Sequence, residues 1–289
     1  MQQRFFILPK KELTILKIAL IQMQSSFDKT ATIQHACALI RQEVQAGAEI
    51  VVLPEMFCCP YATQYFRAYG EYQGGEAQTA LSALAAELAV MIVAGSLPEL
   101  EADRVYNTSF VYDQTGKQIA RHRKMHLFDI DVQGGQKFCE SEVLTAGDQV
   151  TVFPTPWGKI GLCICFDIRF SELFRLMALQ GAELVIVPAA FNMTTGPAHW
   201  QLHFRARALD NQLFTIGVSP ARQEDGCYVA YGHSIAVDPW GNLLYQAGSE
   251  ATAHTLEIDF AKVRSVRQQL PILSARRSDI YELKLKVKA

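Results

Sequence analysis

The run Gly161-Leu162-Cys163-Ile164-Cys165-Phe166-Asp167-Ile168-Arg169-Phe170 ends an apolar strand pattern at a thiol and follows it with an acid and an arginine. Strand ends of open α/β sheets face the crevice where such sheets bind ligands. A base beside Cys165 would make its thiol a nucleophile. Arg169, four residues on, carries the planar fork that grips a carboxylate through two parallel hydrogen bonds. Two more charged residues also follow strand patterns. Glu55 comes after Ile50-Val51-Val52-Leu53-Pro54, and Lys124 lies in Arg121-His122-Arg123-Lys124-Met125-His126-Leu127-Phe128-Asp129. A carboxylate to move a proton, an ammonium to hold an oxyanion and a thiol to attack form a set suited to acyl transfer. The three share a pocket only if their strand ends converge, which spacing alone leaves open.

Plainer readings compete for each residue. Cys163 lies on the same side of its strand as Cys165 and reads as core. His122 and His126 are four apart, a spacing that binds zinc on a helix, and Cys163 with Cys165 would complete four ligands. No helical pattern carries the two histidines, so no metal is expected. His199 and His203 are also four apart, on a better helical pattern, and packing with hydrogen bonding is their default role. Arg169 has structural ion-pair partners in reach at Asp167 and Glu172; the substrate clamp is the favoured reading. Tyr61, just past the glutamate segment, and Phe191, just past a strand pattern, are candidate pocket walls. There is no Gly-x-Ser-x-Gly elbow, no P-loop and no Gly-x-Gly-x-x-Gly, so no nucleotide or flavin cofactor is implied.

The elements that must position these residues alternate along the chain. Strand patterns fall at 13–22, 50–53, 90–94, 150–153, 159–164, 183–187, 213–218 and 253–258, and helical patterns at 28–46, 77–89, 171–180, 198–210 and 260–269. Residues 105–122 read as two strands joined at Asp113-Gln114-Thr115-Gly116, and a β pair surrounds Pro239-Trp240-Gly241-Asn242. Gly181 suits the C-terminus of the 171–180 helix. Many β segments with intervening helices predict a layered α/β architecture, with hairpins that make the sheets mixed.

The 289 residues, 49% hydrophobic, suffice for one large core, and no linker composition interrupts them. A single domain over 13–289 is expected, with 1–12 a short extension. The net charge of −2, without a basic stripe, argues against nucleic-acid binding, and no apolar run reaches the length of a membrane span. Seven cysteines in no repeating pattern, with no secretory signal, point to a reducing, cytoplasmic setting.

Leu53-Pro54-Glu55-Met56-Phe57, Arg123-Lys124-Met125-His126-Leu127-Phe128-Asp129 and Cys165-Phe166-Asp167-Ile168-Arg169-Phe170 resemble, in order, the three signature segments of the nitrilase superfamily of carbon–nitrogen hydrolases. The likeness runs from about Leu16 to Tyr281. Thr195-Gly196-Pro197-Ala198-His199-Trp200 resembles its amidase branch. Ser219-Pro220-Ala221-Arg222, Tyr228-Val229-Ala230-Tyr231-Gly232-His233-Ser234 and Arg277-Ser278-Asp279-Ile280-Tyr281 resemble the omega-amidases within it. This resemblance implies a four-layer αββα sandwich and a homodimer, with 271–289 a candidate interface segment. It implies a Glu–Lys–Cys triad at Glu55, Lys124 and Cys165, with Glu140 as a second glutamate beside the lysine. Glu142 is nearby but out of register. The backbone N–H of Phe166 would join Lys124 at the oxyanion. The implied substrate is the side-chain amide of a keto acid, α-ketoglutaramate or α-ketosuccinamate, whose carboxylate suits Arg169. Another amidase of the branch, such as deaminated-glutathione amidase, is the alternative, and a non-catalytic binding protein on the same fold is a more distant one.

Overall fold

The computed structural model describes residues 14–286; the 1–12 extension and Leu13 lie outside them. The first half carries β1 (Ile15–Gln22), α1 (Lys29–Gln45), β2 (Ile50–Val52), α2 (Thr63–Phe66), α3 (Glu76–Leu88), β3 (Met91–Val93), β4 (Leu97–Glu101), β5 (Arg104–Tyr112) and β6 (Gln118–Arg123). A small hairpin follows, β7 (Asp129–Asp131) and β8 (Lys137–Cys139). The second half carries β9 (Thr151–Pro154), β10 (Lys159–Leu162), α4 (Ser171–Leu179), β11 (Ala182–Pro188), α5 (Gly196–Asn211), β12 (Phe214–Val218), β13 (Ile235–Val237), β14 (Leu243–Gln246), β15 (Thr252–Asp259) and α6 (Ala261–Gln269).

Two sheets result. One runs β15-β1-β2-β3-β5-β4 with β6 paired to β5, and the other runs β14-β13-β12-β11-β10-β9. Side-chain alternation decides how they stack. Leu16, Ile18 and Leu20 of β1 share a core with Leu184 and Ile186 of β11 and Ile216 of β12, so the sheets meet face to face. The intervening Ala19 and Ile21 pack with Ile33 and Ile40 of α1 and Leu81 of α3 on the outer face. Val185 and Val187 pack with Phe174 of α4 and Phe204 of α5 on the other outer face. The layers are therefore helices, sheet, sheet, helices: the αββα sandwich.

Local signals set the helix ends. Asp28 caps α1 by accepting a hydrogen bond from the Ala31 N–H at 2.9 Å. Pro197 sits in the first turn of α5, where its missing N–H costs nothing. Gly181, at φ 95°, follows α4 as expected. The chain closes its first sheet late: β15 returns 230 residues after β1 in pairing, with Gln22 opposite Thr252.

The structure adds elements that the sequence patterns do not display. These are α2, the edge strand β4 and the β7–β8 hairpin. The segment beyond Leu270, as far as residue 286, holds no helix or strand, with turns up to Ile280.

Candidate active site

Glu55 leaves β2 through Leu53-Pro54 and is completely buried. The turn behind it is braced by Ser96, whose Oγ accepts from the Met56 N–H at 3.0 Å and whose carbonyl accepts from the Phe57 N–H at 3.1 Å. Gly95 makes this possible. It has φ 54°, and a Cβ there would lie 2.0 Å from the Pro54 carbonyl oxygen.

Lys124 follows β6 and is also completely buried. Its N–H donates to the Asn107 carbonyl of β5 at 2.8 Å, and its carbonyl accepts from Gly147 N–H at 2.8 Å. The ammonium lies 3.0 Å from Glu55 Oε1 and 2.9 Å from Glu140 Oε1. Glu140 follows β8 and accepts from the Phe128 N–H at 2.7 Å through Oε2. Glu140 is buried and Glu142 exposed. Burial alone would depress the lysine, but Glu140 and Glu55 outweigh it and hold the ammonium charged.

Cys165 follows β10 on the other sheet, at φ 45°, a left-handed conformation that strains a non-glycine residue. This elbow turns its Sγ toward Glu55, with which it hydrogen-bonds, and leaves it 4% exposed. Burial pushes the thiol well up, Glu55 adds to this and Lys124 opposes it. The environment therefore favours the neutral thiol at Cys165, with the Glu55 carboxylate as its hydrogen-bond partner. The strand ends of both sheets thus converge and bring Glu55, Lys124, Glu140 and Cys165 together.

Three further residues complete the site, Asn107 and Ala190 outside the sequence motifs and Tyr228 within one. Glu55 Oε1 accepts from Asn107 Nδ2 at 2.8 Å, and Oε2 accepts from the Ala190 N–H, just past β11, at 2.7 Å. Tyr228 donates to the Ala190 carbonyl at 2.6 Å and packs against Tyr61, its ring tilted by 37° with centroids 4.6 Å apart. Asn107 had one signal, as part of a polar stretch inside a strand pattern. Ala190 acts through its backbone and had none.

The two histidines near Lys124 both face Asp167. His122 Nε2 lies 3.0 Å from its Oδ2 and His126 Nδ1 lies 2.7 Å from its Oδ1. Among the described residues, no group of three or more His, Cys, Asp or Glu side chains is arranged to hold a metal ion. Burial works against the Asp167 anion, yet His122 and His126 hold its carboxyl well below the usual carboxylate range.

The proposed pocket walls divide. Tyr61 is buried, and its hydroxyl lies 3.1 Å from Glu55 Oε1 and 2.8 Å from Glu140 Oε1, so it bridges the two acids. Phe191 is buried edge-on to Trp200 at 5.1 Å. Arg169 has its guanidinium carbon 5.0 Å from the Phe191 ring and 5.5 Å from that of Phe166. It pairs with neither Asp167 nor Glu172. Its Nη1 donates to His199 Nδ1 at 3.2 Å and His203 Nε2 at 3.1 Å, and its buried Nε has no partner. Burial, then the Arg169 charge, lowers the His203 pKa to about 4 and keeps that ring neutral. A cavity of about 170 Å³ reaches Glu55, Tyr61 and Tyr228, with Cys59 and Cys227 also in its wall; Cys165, Arg169 and Phe191 lie outside its lining.

Residues 17–268 match the carbon-nitrogen hydrolase family. The chain belongs to that family. Omega-amidase NIT2 of Bos taurus is 48% identical over 270 residues, 93% of this chain and 98% of the relative. Omega-amidase NIT2 of Homo sapiens is 44% identical over 274 residues, 95% and 99% of the two chains. Saccharomyces cerevisiae Nit3, a member of branch 10 of the nitrilase superfamily, superposes with a TM-score of 0.84 at 40% identity, covering 91% of this chain and 97% of that one. The sandwich expected from the sequence is thus the fold of solved nitrilase-superfamily members, and this carbon–nitrogen hydrolase acts on amide bonds.

Proposed function

We propose that this hydrolase is an omega-amidase that removes the terminal amide of α-ketoglutaramate or α-ketosuccinamate, yielding a dicarboxylic keto acid and ammonia. The observation that carries the substrate class is Arg169. It sits on the nucleophile's own turn, flanked by Phe166 and Phe191, and among the described residues no carboxylate lies within ion-pair distance of it. A guanidinium with a buried, unpaired donor favours a ligand that brings a carboxylate. The extended likeness to omega-amidases supports the same reading.

Glu55 takes the thiol proton as Cys165 Sγ bonds to the amide carbon. The oxyanion so formed is held by the Lys124 ammonium and the Phe166 N–H. The C–N bond breaks as Glu55 returns the proton to the departing nitrogen, releasing ammonia and leaving a thioester. Glu55 then takes a proton from water, hydroxide adds to the thioester carbon, and the C–S bond breaks with the proton going back to sulfur.

We also propose a homodimer. The exposed apolar residues Leu202 and Leu209 of α5, beside Trp240, support a second copy as the occupant of that face, and the 271–289 segment is a further candidate for it. A cytoplasmic location fits seven free cysteines, and no helix among the described residues is long and apolar enough to cross a membrane. Ammonia release from α-ketoglutaramate, α-ketosuccinamate and deaminated glutathione tests the activity. Preference for the third would replace omega-amidase by deaminated-glutathione amidase; sedimentation tests the dimer.

A further inference from the structure

Tyr61 meets two acids with one hydrogen. Its hydroxyl lies 2.8 Å from Glu140 Oε1 and 3.1 Å from Glu55 Oε1, and all three side chains are buried. A phenol donates once, and an ionised carboxylate only accepts. With both acids ionised, one of these contacts would set oxygen against oxygen with no hydrogen between. A proton on Glu140 Oε1 resolves this: it donates to the Tyr61 oxygen, and the Tyr61 hydrogen then donates to Glu55. We propose that Tyr61 is a positioning residue through which Glu55 and Glu140 hold one proton in common, with Glu140 the protonated acid and Glu55 the free base.

The charge inventory agrees. Among the described residues, Lys124 is the one ammonium touching both acids, so two buried anions would leave an uncompensated charge, which low-dielectric surroundings penalise heavily. One shared proton makes the cluster neutral. The donors decide where it rests. Besides Lys124 and Tyr61, which both acids share, Glu55 receives Asn107 Nδ2, the Ala190 N–H and the Cys165 thiol, whereas among the described residues Glu140 receives only the Phe128 N–H. Burial raises the Glu140 carboxyl; the Lys124 charge opposes this and the Glu55 charge adds to it.

The groups facing Tyr61 are Glu55, Glu140, Cys165 and the Tyr228 phenol, with the rings of Phe66 and Phe138 on its apolar side at 5.7 Å each. This arrangement bears on the reaction. When Glu55 takes the thiol proton, both acids are neutral, and the Lys124 charge is left uncompensated for the oxyanion.

The test does not depend on which amide is hydrolysed. Carboxamidomethylation of Cys165 by iodoacetamide is followed against pH in wild type and Tyr61→Phe, a variant that keeps the ring packing. The expected result is an acid limb displaced upward by about one pH unit, or about tenfold slower reaction at its foot, with a preserved alkaline plateau. Infrared spectra of the wild-type protein at neutral pH supply a second reading: a protonated-carboxyl stretch is expected, and it disappears in Glu140→Gln. An unmoved acid limb in folded Tyr61→Phe, a rate lowered equally at every pH, or a wild-type spectrum without a buried protonated carboxyl would each overturn the proposal.

Discussion

Asp167 reaches back from the nucleophile turn to His126, accepting its backbone N–H at 2.9 Å and its ring Nδ1 at 2.7 Å through one oxygen. Its other oxygen takes His122 Nε2 and the Ile164 N–H, each at 3.0 Å. One carboxylate therefore ties both flanks of Lys124, on the first sheet, to both flanks of Cys165, on the second. Glu55 and Lys124 follow strands of one sheet and Cys165 a strand of the other, and this clasp sets their separation.

Asp167→Asn removes the charge that gathers these donors. A catalytic group displaced by about 1 Å can cost about 10²-fold, so kcat is expected to fall by 10- to 100-fold. Stability at pH 7 should drop by about 3 kcal/mol, the scale for disrupting a buried charged network. The Asp167 carboxyl is depressed in the fold, so its contribution is complete above the unfolded value of about 4 and fades as pH falls through the lower folded value. Urea unfolding should show the gap between wild type and variant narrowing in acid; a gap that widens would contradict the assignment.

Lys124→Met keeps the stem and deletes the ammonium. Loss of one oxyanion donor costs about 10²–10³ in kcat. Steady-state kinetics should show that loss with KM changed far less, whereas a pure KM effect would place Lys124 in ground-state binding.

Arg169→Met separates substrate recognition from chemistry. A hydrogen-bonded charge pair is worth about 1.5–3 kcal/mol, so kcat/KM for a keto-acid amide should fall roughly 10- to 150-fold. A small uncharged amide should be hydrolysed as in wild type. Equal losses on both would make Arg169 structural, held by His199 and His203 for packing alone.

Gly95→Ala tests the support behind Glu55. The added Cβ meets backbone at 2.0 Å and must displace Pro54, the residue before the base. Thermal unfolding should reveal a loss of about 2 kcal/mol or more, accompanied by reduced kcat.

The site was legible wherever chemistry coincided with a strand end. Glu55 and Cys165 each close an apolar run, Lys124 follows a more polar strand, and long runs such as those of β1 and β11 carry clear patterns. The β4 strand was hidden because Pro98 interrupts it, and proline is tolerated there because β4 lies at a sheet edge. The β7–β8 hairpin is three residues a side and largely exposed, so no alternation marks it, although it delivers Glu140. Asn107 and the Ala190 N–H reach Glu55 only through pairing between distant strands, which local sequence does not encode. The role of Asp167 was obscured by its neighbour: adjacency suggested Arg169 as a partner, while the elbow at Cys165 turns the acid toward the histidines instead.

Ammonia release from α-ketoglutaramate by wild type and by Cys165→Ala tests the central claim most directly. Robust wild-type turnover that disappears in the variant is the predicted result. A wild-type enzyme inert toward this amide would contradict the omega-amidase assignment, and turnover that survives in Cys165→Ala would contradict the nucleophile.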